Sequence, residues 1–148
     1  MTVDRTATSQ HDQPATDPRG SAIVRAMQVV LWLLAVAVFA QAVLAGLFLD
    51  GGDAWRTWHA TNGMLVLPLL ALLQVVLAVL VWRRRRGPGW LAVASVGLLL
   101  ALLVQNVLGM TGQVAVHIPL GVAIFGLTGT LLARARTLTR SATHPTAS

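Results

Sequence analysis

The sequence predicts an all-α membrane protein: a four-transmembrane-helix up-down bundle built from two repeated hairpins. Three observations predict it. Four long apolar runs follow one another along the chain, arginines gather at one set of their ends, and the connections are short and rich in turn residues. A helix rising about 1.5 Å per residue needs about 20 apolar residues to cross the hydrocarbon core, and short connections make consecutive helices antiparallel neighbours.

Composition supports the class. Of the 148 residues, 55% are hydrophobic and only 11% charged, where soluble domains carry about 25%; the mean hydropathy is +0.70. So few charges cannot clothe a soluble domain of this size. There is no cysteine, which excludes disulfides, thiolate metal sites and covalent haem attachment. Lysine and glutamate are absent too. The net charge of +6 does not mark a nucleic-acid binder, because most arginines sit at the ends of apolar runs, where they meet anionic headgroups.

Residues 1–21 are polar, without apolar periodicity, and are expected to form a disordered cytoplasmic tail. The first span covers about residues 26–49, interrupted only by Gln28 and Gln41 as strongly polar residues. Ala40-Gln41-Ala42 has the small-residue form of a leader cleavage site, but the preceding tail and the apolar run are too long for a leader. After the turn Asp50-Gly51-Gly52-Asp53 the second span runs over about 58–82 and stops at four arginines, 83–86. Gly87-Pro88-Gly89 turns the chain into a third span over about 90–110. Thr111-Gly112-Gln113 leads into a fourth over about 114–132. The transmembrane domain is thus expected over 22–135, with a second disordered cytoplasmic tail over 136–148.

Arginine counting orients the bundle. The 2–3 connection holds four arginines and the C-terminal flank three, against one in the 1–2 connection and none in the 3–4 connection. The positive-inside rule then places both termini in the cytoplasm of a cell whose plasma membrane the chain spans. Trp32, Trp82 and Trp90 near one boundary and Trp55 and Trp58 near the other occupy interfacial positions.

Of four histidines, His11 and His144 lie in the tails, while His59 and His117 open the second and fourth spans. Both are followed by glycine after three residues, Gly63 and Gly121. Each follows a helix bearing a Gln-x-Val-Leu motif, Gln41-Ala42-Val43-Leu44 or Gln105-Asn106-Val107-Leu108. The chain therefore reads as two matching hairpins. Neighbouring axes in a bundle lie about 8–10 Å apart and diagonal ones farther, so inward-facing histidines on the diagonal second and fourth helices could ligate one haem iron from both sides. Gly63 and Gly121 would let a porphyrin approach the backbone. Arg56 and the polar edge at Thr61 and Asn62 could meet its propionates, and Gln41, Gln105 and Asn106 could hydrogen-bond around the ligands. The competing reading makes the histidines interfacial polar residues and the glycines packing positions. Gln74, deep in the second span on the flank of the His59 face, reads as an interhelical hydrogen bond, with contact to a quinone or second cofactor as the unsupported alternative. Pro68 should kink that span, and Pro119 fits a fourth helix starting close to His117.

On Gln41, Gly46, His59 and His117, the paired hairpins resemble one four-helix half of the haem A synthases, over about residues 22–135. They also resemble small four-helix actinobacterial membrane proteins with a similar histidine pair. The resemblance implies haem binding at His59 and His117. It does not imply haem hydroxylation, because the glutamate that accompanies the catalytic histidine in that family has no counterpart here, and the extracytoplasmic cysteine pair of some members is missing as well.

The expectation is one haem b, serving electron transfer or haem handling near the extracytoplasmic face, with a redox partner, a quinone or a larger membrane complex beside the lipid bilayer. The alternative is a cofactor-free structural or interaction subunit. A proton-coupled transporter is disfavoured because no Asp or Glu lies within a span.

Overall fold

The computed structural model describes residues 18–85 and 88–140. Helix α1 spans Pro18–Leu49. The second membrane span consists of α2, Asp53–Thr61, a π-helical turn, Asn62–Val66, and α3, Leu67–Arg85; α4 covers Trp90–Met110 and α5 Val114–Arg140. Four of these stretches, Gly20–Leu49, Asp53–Arg84, Trp90–Met110 and Val114–Thr137, are long and apolar enough to cross a membrane. The protein is a multi-pass, four-helix membrane protein.

Two helices outrun their apolar cores. α1 begins at Pro18, inside the segment expected as tail, because proline fits a first helical position, and buried Gly20 leads into the inward stripe Val24, Met27, Leu31, Leu34. α5 continues to Arg140, past the expected end of the fourth span, because Ala135 is fully buried and its carbonyl accepts Gln28 Nε2 of α1 at 2.9 Å. Arg136 lies over the Trp32 ring, 4.8 Å from its centroid. The remainder of both expected tails lies outside the described residues.

The spans form a ring. α1 packs on α3, α3 on α4, α4 on α5 and α5 on α1, and among the described residues neither diagonal pair of spans packs backbone to backbone. The second and fourth spans are therefore opposite one another. Leu31, Leu34, Ala71, Leu98 and Leu131 fill the interior, while Val36, Phe39, Leu69, Val93 and Val122 point outward. Exposed apolar side chains on that scale have lipid as their natural solvent.

Pro68 explains the irregular second span. Proline lacks the N–H that would bond the Met64 carbonyl, and its ring crowds that carbonyl. The chain widens just ahead of it into the π turn, where Leu67 N–H donates to the Asn62 carbonyl. Such turns are the usual way a helix absorbs a misfit. The helix also starts at Asp53, so His59 lies in its second turn instead of opening it. Pro119 likewise sits inside α5, where it removes the intrahelical donor for the Ala115 carbonyl.

Candidate functional site

Both membrane histidines lie at the end of the bundle opposite Arg25, Arg83, Arg84, Arg134 and Arg136, and each is clasped by a glutamine of the preceding span. Gln41 Nε2 on α1 donates to the His59 carbonyl at 3.0 Å, and His59 Nδ1–H donates to the Gln41 carbonyl at 3.1 Å. In the second hairpin Gln105 Nε2 on α4 donates to the His117 carbonyl at 2.8 Å, and His117 Nδ1–H donates to the Gln105 carbonyl at 3.0 Å. The two hairpins thus carry the same reciprocal pair of bonds.

The spacing His-x-x-x-Gly makes the clasp possible. A residue four positions on lies above the same helix face, and a side chain there would block the approach of the glutamine amide. A Cβ on Gly63 would stand 2.8 Å from Gln41 Nε2 and 3.3 Å from Asn106 Oδ1, and one on Gly121 would stand 3.1 Å from Gln105 Nε2. Sequence reading left these glycines either to a porphyrin or to helix packing; the structure gives their space first to the glutamines of the neighbouring helices. Gly109 does the same for an imidazole, since a Cβ there would lie 3.1 Å from His117 Cε1.

The clasp fixes the tautomer. A backbone carbonyl can only accept, so Nδ1 of each neutral ring carries the proton and Nε2 keeps its lone pair. Carbonyl-anchored Nδ1–H with a basic Nε2 is the state in which histidine serves as a metal ligand. Both rings line one cavity of about 430 Å³, walled otherwise mainly by α1 (Val38, Ala42, Ala45, Gly46) and α5 (Gly121, Phe125). Its size falls in the range of about 300–1,000 Å³ typical of ligand pockets, and so does its character, apolar with a few convergent polar groups.

The other expected site residues divide. Gln41, Gln105 and Gly121 line the cavity; Gly63, Asn106 and Arg56 do not. Asn106 Nδ2 instead donates to the Gly63 carbonyl at 2.9 Å, tying α4 to the π turn. The Arg56 guanidinium lies over Phe48, 5.3 Å from the ring centroid, and Phe48 meets the His59 ring edge-on at 5.2 Å. The Asn62 amide bonds inward, to the Ala37 carbonyl at 2.9 Å and to Gln41 Oε1 at 2.7 Å, instead of forming an outer polar edge. Leu120 stands at the corresponding place in the second hairpin, and Gln105 Oε1 is correspondingly buried without a partner. Among the described residues Gln74 makes no interhelical bond: both of its amide atoms are buried and unpartnered, a correction to the sequence reading. Thr128, equally buried, bonds the Ile124 carbonyl of its own helix at 2.8 Å. Phe48 and Gly109 are site neighbours that sequence reasoning did not single out as such; Gly109 directly follows the Gln105-Asn106-Val107-Leu108 motif.

Two imidazoles are too few to hold a bare zinc ion, which takes three or four protein ligands, and among the described residues no three His, Cys, Asp or Glu side chains converge. Two axial imidazoles do suffice for haem, whose macrocycle fills the other four positions of the iron. Comparison with protein-family models, curated proteins and solved structures gives no match to this chain, so the site is read from its own geometry.

Proposed function

We propose that this protein binds one non-covalent, b-type haem between His59 and His117 and uses it for electron transfer or haem handling in the plasma membrane. The observation that supports this reading best is the pair of carbonyl-anchored imidazoles, each left with a free Nε2 lone pair, lining a common apolar cavity from diagonal spans. Haem supplies a one-electron couple; the chain supplies two neutral nitrogen ligands, a fixed tautomer and a water-poor surround. The absence of cysteine leaves non-covalent binding as the mode. The excess of arginines at the opposite end, Arg83 to Arg86 with Arg134 and Arg136 against Arg56 alone, supports an extracytoplasmic position for the histidines and cytoplasmic termini.

Only one histidine pair lies in the spans, and Gln74 and Thr128, the polar residues toward the arginine end, are not usual haem ligands. One haem near one face is therefore the expected stoichiometry, and a redox partner or quinone must complete any electron path across the membrane. Reduced-minus-oxidised visible spectra of the protein purified in mild detergent test the reading. Soret and α bands that disappear in His59→Ala and in His117→Ala support it. A colourless protein made with ample haem overturns it and favours a cofactor-free subunit of a membrane complex.

A further inference from the structure

The two hairpins match in their glutamine–histidine clasps but not in how their helices are held beyond them. The second span is tied on both sides at the histidine end. Asn62 binds it to α1 through the Ala37 carbonyl and Gln41 Oε1, and Asn106 binds it to α4 through the Gly63 carbonyl. In the register set by the glutamines and histidines, Asn62 corresponds to Leu120 and Asn106 to Ala42. Neither counterpart can donate a side-chain hydrogen bond. At this end α5 is clasped to α4 through His117, but among the described residues no hydrogen bond joins it to α1.

At the arginine end the same two helices are pinned, by Gln28 Nε2 on the Ala135 carbonyl and by Arg136 over Trp32. α5 is also the span least embedded in the bundle, with 17% of its most apolar stretch buried against 28% for each of the other three.

The cavity lies along this unpinned seam. Ala42 and Gly121 line it, whereas their counterparts Asn106 and Gly63 close the opposite seam. Gly63 is buried and Gly121 only half-buried; Leu67 is 4% exposed and its counterpart Phe125 49%. Phe39 and Val122, also on the cavity wall, face outward where lipid would be.

We infer that the seam between α1 and α5 is a lateral gate, hinged at the Gln28–Ala135 and Trp32–Arg136 contacts, through which a flat apolar ligand enters the cavity directly from the bilayer. That the ligand is haem rests on the function proposed above; the gate itself rests on the asymmetry of the ties. The missing amide at position 42 is what leaves the seam free.

Because the chain has no cysteine, spin labels can be placed cleanly. Double electron–electron resonance in lipid vesicles should give a broad, multi-population distance for the pair Val43→Cys/Val116→Cys at the histidine end. A narrow one is expected for Val29→Cys/Ala133→Cys at the arginine end. Adding Ala42→Asn, which restores the amide opposite Gly121, should remove the wider population of the first pair. In parallel, label-free protein without haem should take up haemin pre-dissolved in vesicle lipid, and Ala42→Asn should slow that uptake. A histidine-end pair as narrow as the arginine-end pair overturns the gate, whether or not haem binds. A broad pair in a protein that takes up no haemin supports the gate while overturning the haem reading.

Discussion

Gln41 and His59 hold each other by two hydrogen bonds, side chain to backbone in both directions, at 3.0 and 3.1 Å. Gln105 and His117 repeat the arrangement at 2.8 and 3.0 Å. The histidines are therefore not loose polar residues at a membrane boundary. Each is locked in rotation and tautomer by the helix before it, and the lock leaves the same nitrogen of each ring available at one cavity.

Truncating a clasp should cost stability unequally. Gln41→Leu removes the donor to the His59 carbonyl and one of the acceptors of Asn62, whereas Gln105→Leu removes one donor and an unpartnered oxygen. Interhelical hydrogen bonds in membranes are worth about 0.6–2 kcal/mol. Gln41→Leu should therefore destabilise by about 1–2 kcal/mol and Gln105→Leu by less, as read from unfolding of the detergent-solubilised protein in increasing dodecyl sulfate. Equal losses would contradict the role given to Asn62.

Gly63→Ala should be damaging and Gly46→Ala neutral. The first puts a methyl 2.8 Å from Gln41 Nε2, the second meets nothing within 4 Å. Overpacking of this kind costs about 1–3 kcal/mol. The double variant Gly63→Ala/Gln41→Ala should recover part of the loss, because the methyl then enters space the amide vacated. A double variant no better than the sum of its parts would argue against the slot, by the logic of a mutant cycle.

Gln74→Leu should stabilise the bundle. Gln74 is 1% exposed and neither amide atom has a partner, and a buried polar group left unsatisfied costs about 1–3 kcal/mol. Leucine keeps most of the volume and removes the penalty, so the same dodecyl sulfate titration should shift to higher denaturant. A loss of stability would mean that the amide has a partner not seen among the described residues.

Pro68→Ala should relax the π turn. With an N–H restored at that position the second span can continue as an α-helix, which would rotate Gly63 and Asn62 relative to His59 and break the Asn106 tie. Weakened haem binding with both histidines intact is the expected result, measured by haemin titration of the Soret band.

The parts legible in the sequence were those carried by a single helix or by local repetition. Span number and connections follow from hydropathy and turn residues, and the rhyme of Gln41-Ala42-Val43-Leu44 with Gln105-Asn106-Val107-Leu108 and of the two His-x-x-x-Gly motifs flagged the residues that the structure brings together. The helix ends were less legible, because α1 and α5 extend beyond their apolar runs on the strength of contacts between them, such as Gln28 with Ala135. The clasp itself was not legible, since it is an agreement between the side chain of one helix and the backbone of another. The role of Gly63 followed suit: a glycine beside a histidine suggests room for a ligand, and only the position of the Gln41 amide shows what fills it. Gln74 misled for the opposite reason, because a buried amide normally finds a partner and this one does not.

The most direct test of the central claim is the haem content of the purified protein and its two histidine variants, by pyridine haemochrome against protein concentration. The account predicts one haem b per chain in the natural sequence and none retained in either His59→Ala or His117→Ala, with both variants still folded as judged by circular dichroism. A natural protein that holds no haem when haem is supplied, or variants that hold it unchanged, would contradict it.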